Sequence, residues 1–268
     1  MGKIFKTIRR KEIAFTLAEG ATHVDLSPTK VKFAFTLAEV LITLGIIGIV
    51  AAMTIPNLIM NFKAQRLKSQ FFRTYSIIQQ VFKDMEAEGD SSDPYTYPTA
   101  TFYKTFQRYI TGSIDCKNKQ DDTACYKLHS GTKKYRTLNG QIFDDSAGYF
   151  DEGQLLLQDG TLLLFEQYNG GEFDRHSFIA ADLNGINNPP NVFGYDVFVF
   201  QFVDGEILPV GHSKTGDRNQ TVSWTYSPKV YCNENITNNA SGWACAQLAV
   251  TDSDYFKKVV RMKIKTSN

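Results

Sequence analysis

Between Val40 and Met60 the chain runs for 21 residues without a formal charge. At about 1.5 Å of rise per residue, a helix of that length crosses a hydrocarbon core about 30 Å thick, so the run predicts a membrane span. One carboxylate, Glu39, stands at its mouth. After Pro56 the pattern becomes one-sided: Leu58, Ile59, Phe62, Leu67, Phe71, Tyr75, Ile78, Phe82 and Met85 recur among Lys63, Arg66, Lys68, Arg73, Lys83 and Asp84. That spacing predicts an amphipathic continuation of the same helix, about 50 residues and roughly 75 Å in all by helical rise. Pro56 removes one backbone donor inside it and should bend or loosen it. Gly89 and the following DSSDP should end it.

Downstream, TATFYKTFQRYI places Phe102, Phe106, Tyr109 and Ile110 on one face and predicts a short second helix. The pattern then shifts to strands. QLLLQDGTLLLF and DVFVFQFVDGEILPV each set an Asp-Gly pair (Asp159-Gly160, Asp204-Gly205) between apolar runs, the composition of a β-hairpin turn. Val197, Val199, Gln201 and Val203 alternate with Phe198, Phe200 and Phe202, so neither face is polar. One face should pack on the long helix and the other be partly covered. The expected fold is α+β, a long N-terminal helix packed on an antiparallel sheet. Its expected parts are a leader (1–34), a membrane helix (35–60), an amphipathic continuation (61–88) and a globular head (90–268).

Charge orients this arrangement. The first 34 residues carry Lys3, Lys6, Arg9, Arg10, Lys11, Lys30 and Lys32 against Glu12, Glu19 and Asp25, a net of +4. The positive-inside rule keeps them cytoplasmic and exports the rest. From Phe35 onward the net charge is −3, which opposes nucleic-acid binding. The basic tail of Lys257, Lys258, Arg261, Lys263 and Lys265 reads as a solvated face. Cys116, Cys125, Cys232 and Cys245 all fall on the exported side, where an even count reads as disulfides. Intervals of eight and twelve residues do not match a zinc knuckle; of three possible connectivities they favour the local closures 116–125 and 232–245.

Together the basic leader, AFTLAEVLITLGIIGIVAAMTIPNL, the isolated Glu39 and the uncharged span resemble the amino-terminal signature of type IV pilins and type II secretion pseudopilins. The resemblance covers about 30 residues; ADLNGINNPPNVFGYDVFVF and the Cys232–Cys245 loop are similar to features of some pilin-like heads. It implies cleavage by a prepilin peptidase between Ala34 and Phe35, N-methylation of Phe35 and an assembly role for Glu39, with Pro56 as the helix-kinking proline. The family usually has Gly before the cut; here Ala34 keeps a small residue. The sequence AFTLAE also occurs at 14–19, where it runs into polar residues and has no physical account.

The implied partners are the membrane, the peptidase, an assembly platform protein and other pilin or pseudopilin subunits. The implied location is the bacterial cytoplasmic membrane, then a pilus or pseudopilus. A carboxylate in a bilayer costs about 2.5–3.5 kcal/mol, so Glu39 should pair with the ammonium of Phe35, its own or a neighbour's. Gly45, Gly48 and Ala52 offer a small-residue face for close helix approach.

Asp182, Asn184, Asn188, Asn191 and Asp196 gather oxygen donors near Gly185 and Gly194, a composition suited to calcium and equally common in plain turns. No other cofactor is implied. Catalysis finds little footing: His129, His176 and His212 are not spaced as metal pairs, GHSKTG is not a phosphate loop, and Asp144, Asp145, Asp151 and Glu152 read as solvated loop carboxylates. The expectation is a structural subunit, not an enzyme. A ligand- or DNA-binding minor tip pilin and a signal-anchored extracytoplasmic enzyme or binding module are the alternatives.

Overall fold

A computed structural model describes residues 35–116, 124–126, 135–144, 146, 148–170, 175–218 and 223–262. The leader with Ala34 and the AFTLAE copy at 14–19, together with His129, Asp145, Lys263 and Lys265, lie outside these residues.

Helix α1 (Leu37–Glu88) is 52 residues long and passes Pro56 without a break. The chain divides into two compact units between Val50 and Ala51, inside this helix. In the first unit Phe35, Leu37, Leu41, Ile42, Leu44, Ile46, Ile47 and Ile49 are exposed. The helix is long and apolar enough to cross a membrane, and its most apolar window is wholly unburied.

In the second unit Leu58, Ile59 and Phe62 are exposed too, and α1 begins to bury a stripe only at Ala64. The stripe continues through Leu67, Phe71, Thr74, Ile78, Val81, Phe82 and Met85, a helical period. The buried face therefore starts at Ala64, nearly two turns after Leu58 where hydrophobicity alone places it, because the head's packing partners begin there. Past Glu88 the chain leaves the helix through Gly89, whose φ of 84° is the left-handed stop a glycine permits, and Asp90 N–H donates to Met85 O at 2.9 Å.

Helix α2 (Phe102–Arg108) buries Phe102, Tyr103 and Phe106. Six antiparallel strands follow in sheet order: β1 (Ile114–Asp115), β2 (Gly153–Leu156), β3 (Leu162–Asn169), β4 (Arg175–Asp182), β5 (Val197–Val203) and β6 (Glu206–Pro209). Both Asp-Gly pairs lie between paired strands. At the second, Asp204 and Gly205 have φ of 52° and 82°, the double positive φ of a two-residue hairpin turn. The pair β7 (Gly216–Arg218) and β8 (Ser223–Thr225) and the short helices α3 (Pro228–Tyr231), α4 (Cys245–Thr251) and α5 (Tyr255–Val259) complete the described head.

The period-2 alternation of β5 sorts its side chains onto two cores. Phe198 and Phe200 pack on α1, with ring centroids 4.8 Å from Phe71 and 4.9 Å from Tyr75, and Phe202 lies 5.7 Å from Phe82. Val197 and Val199 face a second cluster with Tyr135, Phe143, Phe150, Phe193, Tyr226 and Trp243. All seven β5 residues are buried, so the second face is closed by an aromatic layer rather than partly covered. Disulfides join Cys116 to Cys125 and Cys232 to Cys245. Gly194 sits so close to the second that a Cβ there would lie 2.6 Å from Cys245 Sγ.

Candidate functional site

At the start of α1 the chain writes Thr36-Leu37-Ala38-Glu39, the S/T-x-x-E order of a capping box. Thr36 N–H and Thr36 Oγ1 each donate to Glu39 Oε2 at 2.8 Å, and Glu39 N–H donates to Thr36 Oγ1 at 3.2 Å. These bonds satisfy two donors that a helix start would otherwise leave open. The Glu39 carboxylate is thus held by Thr36, a residue to which the sequence reading gave no role although the spacing was available. Phe35 precedes the cap, 83% exposed. Gly45 and Gly48 have nothing within 4 Å of where a Cβ would stand, so their helix surface is open.

The loop after β4 gathers Asp182, Asn184, Asn188, Asn191 and Asp196, and what they do there is hold the chain. Asp182 accepts from Tyr135 Oη at 3.0 Å, Asn184 N–H at 3.3 Å and Gly185 N–H at 2.9 Å. Asp196 accepts from Asn191 N–H at 3.0 Å and Val192 N–H at 2.7 Å. Asn184 and Asn188 each donate a side-chain amide to the other's carbonyl at 2.6 Å, and Asn191 Nδ2 donates to Ile186 O. Asn184 Oδ1 and Asn191 Oδ1 are enclosed without a hydrogen-bond partner. As folded, the set is a hydrogen-bonded lock whose carboxylates are turned to donors.

Burial is also the main force on these acids: it raises both Asp182 and Asp196 above the ordinary carboxylate range, and the charge of Asp196 raises Asp182 further.

The remaining acidic candidates separate. Asp144 is exposed and accepts from Ser146. Asp151 is exposed, but Glu152 is not the solvated carboxylate its loop position suggests: its Oε2 is enclosed and has no partner. The reason is strand pairing, which places buried Glu166 of β3 beside it. Glu166 was legible only as a lone charge in the apolar run LLLFEQ, and His176 lies against it. In the tail, Lys257 and Lys258 pair with Asp254 and Asp252 at the surface, and Arg261 is exposed.

Comparison of the chain with known protein families, with characterised proteins and with solved structures finds no match.

Proposed function

We propose that this chain is a prepilin-like structural subunit rather than an enzyme. In this reading the basic leader and apolar helix hold it in the bacterial cytoplasmic membrane with the head outside. A prepilin peptidase cuts between Ala34 and Phe35, and Phe35 is methylated. Through the helix that follows, the subunit joins others in a type IV pilus or a type II secretion pseudopilus.

The observation that carries the reading is the exposed apolar surface running from Phe35 to Phe62, headed by a single carboxylate. Burying one Leu, Ile or Phe side chain contributes about 1.5–3 kcal/mol, so a surface of this size requires a solvent of its own. Lipid supplies it before assembly, and the helices of neighbouring copies supply it afterwards. Gly45, Gly48 and Ala52 let those helices approach closely. Glu39 gives the packing a register: in a filament, the Phe35 ammonium of one subunit neutralises the Glu39 carboxylate of another, and both charges leave water as a pair.

Mass spectrometry of the protein's amino terminus, from native membranes and from sheared surface filaments, tests this. N-methyl-Phe35 in the sheared fraction is the expected result. A mature protein that retains the leader, or is cut elsewhere, overturns it.

A further inference from the structure

Beyond the apolar span, α1 carries a second stripe. Phe62, Arg66, Arg73, Ile77, Gln80 and Asp84 follow one another at intervals of three, four or seven residues, so they share one side of the helix. This stripe is distinct from the one that Ala64, Leu67, Phe71 and Ile78 bury against the head. Its charges are unequally matched. Arg73 lies 3.1 Å from Asp159 of the β2–β3 turn. Arg66 is exposed and makes no ion pair among the described residues. Asp84 accepts from Gln80 Nε2 at 2.7 Å and pairs with no cation among the described residues. Phe62, one turn before Arg66, is 76% exposed.

Alongside the upper part of the stripe lies a groove of about 280 Å³. The turn between β2 and β3 and the loop after α2 both reach α1 here and leave a hollow between them. Ile77 and Val81 of α1, Ile110 and Leu157 give it apolar walls, and Asp84 and Asp159 are its acids. Arg73 already answers Asp159, so Asp84 is the acid left for another cation. The volume falls just below the roughly 300–1,000 Å³ of small-molecule sites and suits one large side chain. The lower stripe presents what the groove lacks, an exposed ring followed four residues later by an unpaired cation. Gln80, between Ile77 and Val81, precedes Asp84 by the same four residues.

We propose that the groove receives a second copy of this chain: Phe62 of one copy enters the groove of the next, and its Arg66 pairs with that copy's Asp84. The contact rests on the filament reading and extends it from the apolar span into the head-bearing half of α1. Arg66 and Asp84 stand eighteen residues apart on one helix, about 27 Å by helical rise, so they cannot meet within a chain. Parallel copies displaced by that length bring Phe62 opposite Gln80 and Arg66 opposite Asp84 together. The knob and the groove are different surfaces, so the interface is heterologous, and where its rotation does not close it repeats into an open helical filament. A solvated ion pair adds little affinity. The aromatic anchor supplies most of the attraction, and the charges fix the axial register.

Sheared filaments of the full chain test this. In filaments of Arg66→Lys, carbodiimide should form an amide between position 66 and Asp84, identified by peptide mass mapping. The separation along one helix makes any such link a link between copies. Phe62→Ala should lower filament recovery by at least about tenfold while the melting temperature of the head stays unchanged. Arg66→Glu and Asp84→Arg each bring like charges together and should lower recovery by at least about tenfold. The two exchanges combined in one chain should restore most of it. Suppose the unsubstituted chain forms filaments. Then normal assembly of Phe62→Ala, a double exchange no better than either single one, or Arg66→Lys filaments without the link to Asp84 overturns this contact and leaves the filament reading standing. An unsubstituted chain that forms no filaments overturns both.

Discussion

Thr36 and Glu39 cap helix α1 reciprocally: the threonine N–H and hydroxyl both donate to the carboxylate, and the glutamate N–H donates back to the hydroxyl. Glu39 therefore serves its own helix besides any role between subunits, and Glu39→Ala alone would confound the two. Glu39→Gln separates them, since its amide oxygen still accepts from Thr36 but carries no charge. Both variants should insert into the membrane and be processed. If charge pairing drives assembly, Gln should lower recovery in sheared filaments by at least about tenfold, as Ala does, because a neighbour's ammonium is left unpaired in apolar surroundings. Normal assembly of the Gln variant would reduce Glu39 to a cap.

Phe71 is fully buried where α1 meets the sheet, with Phe198, Phe200 and Phe256 at ring-centroid distances of 4.8, 5.9 and 5.7 Å. Phe71→Ala should cost about 3–5 kcal/mol of head stability. Phe62→Ala, exposed two turns earlier, should cost under about 0.5 kcal/mol and act only on assembly or membrane retention. Denaturant midpoints read by tryptophan fluorescence distinguish them, and equal losses would refute this division of the helix.

The buried pair Asp182 and Asp196 gives the head a pH dependence of definite sign. Burial pushes Asp182 from an ordinary value of 3.8 up to about 8. Between those values the folded head holds protons that the unfolded chain has released. Stability is therefore greatest toward the acid side and falls as pH rises from about 4 to about 8. Glu152 is raised in the same direction. Asp182→Asn keeps an acceptor for Gly185 N–H without the charge, so its melting temperature should change less between pH 5 and 8 than that of the unsubstituted chain. Parallel profiles would contradict the assignment.

Cys232 and Cys245 are 13 residues apart in sequence, and their bond ties the loop before α4 to the helix itself. Replacing both by Ser should lower stability by about 3 kcal/mol, mainly through the unfolded chain. The expected readout is a lower urea midpoint with the disulfide at Cys116 and Cys125 intact by mass mapping. An unchanged midpoint would mean that the surrounding packing alone holds the loop.

The long helix, its stop at Gly89 and the two Asp-Gly hairpins were legible in the sequence because each is a local matter: period, glycine placement and turn chemistry act within a few residues. The cap at Thr36 was equally local. Hydrophobicity alone could not say where on α1 membrane-type surface gives way to head core, because Phe62 and Phe71 are the same residue type. The boundary depends on which of them meets a phenylalanine of β5.

The same holds for charge. Asp182 and Asp196 were visible as a polar loop, but one of the donors that hold buried Asp182 is Tyr135, 47 residues away. Glu152, Glu166 and His176 became neighbours only when three segments paired in register. By itself the sequence determined the long helix, the short second helix, the two hairpins and the isolated carboxylate at the head of the apolar helix. Which surfaces are buried, and which distant charges must share one low-dielectric pocket, was decided by the tertiary structure, because burial and Coulomb repulsion depend on distance in space rather than along the chain.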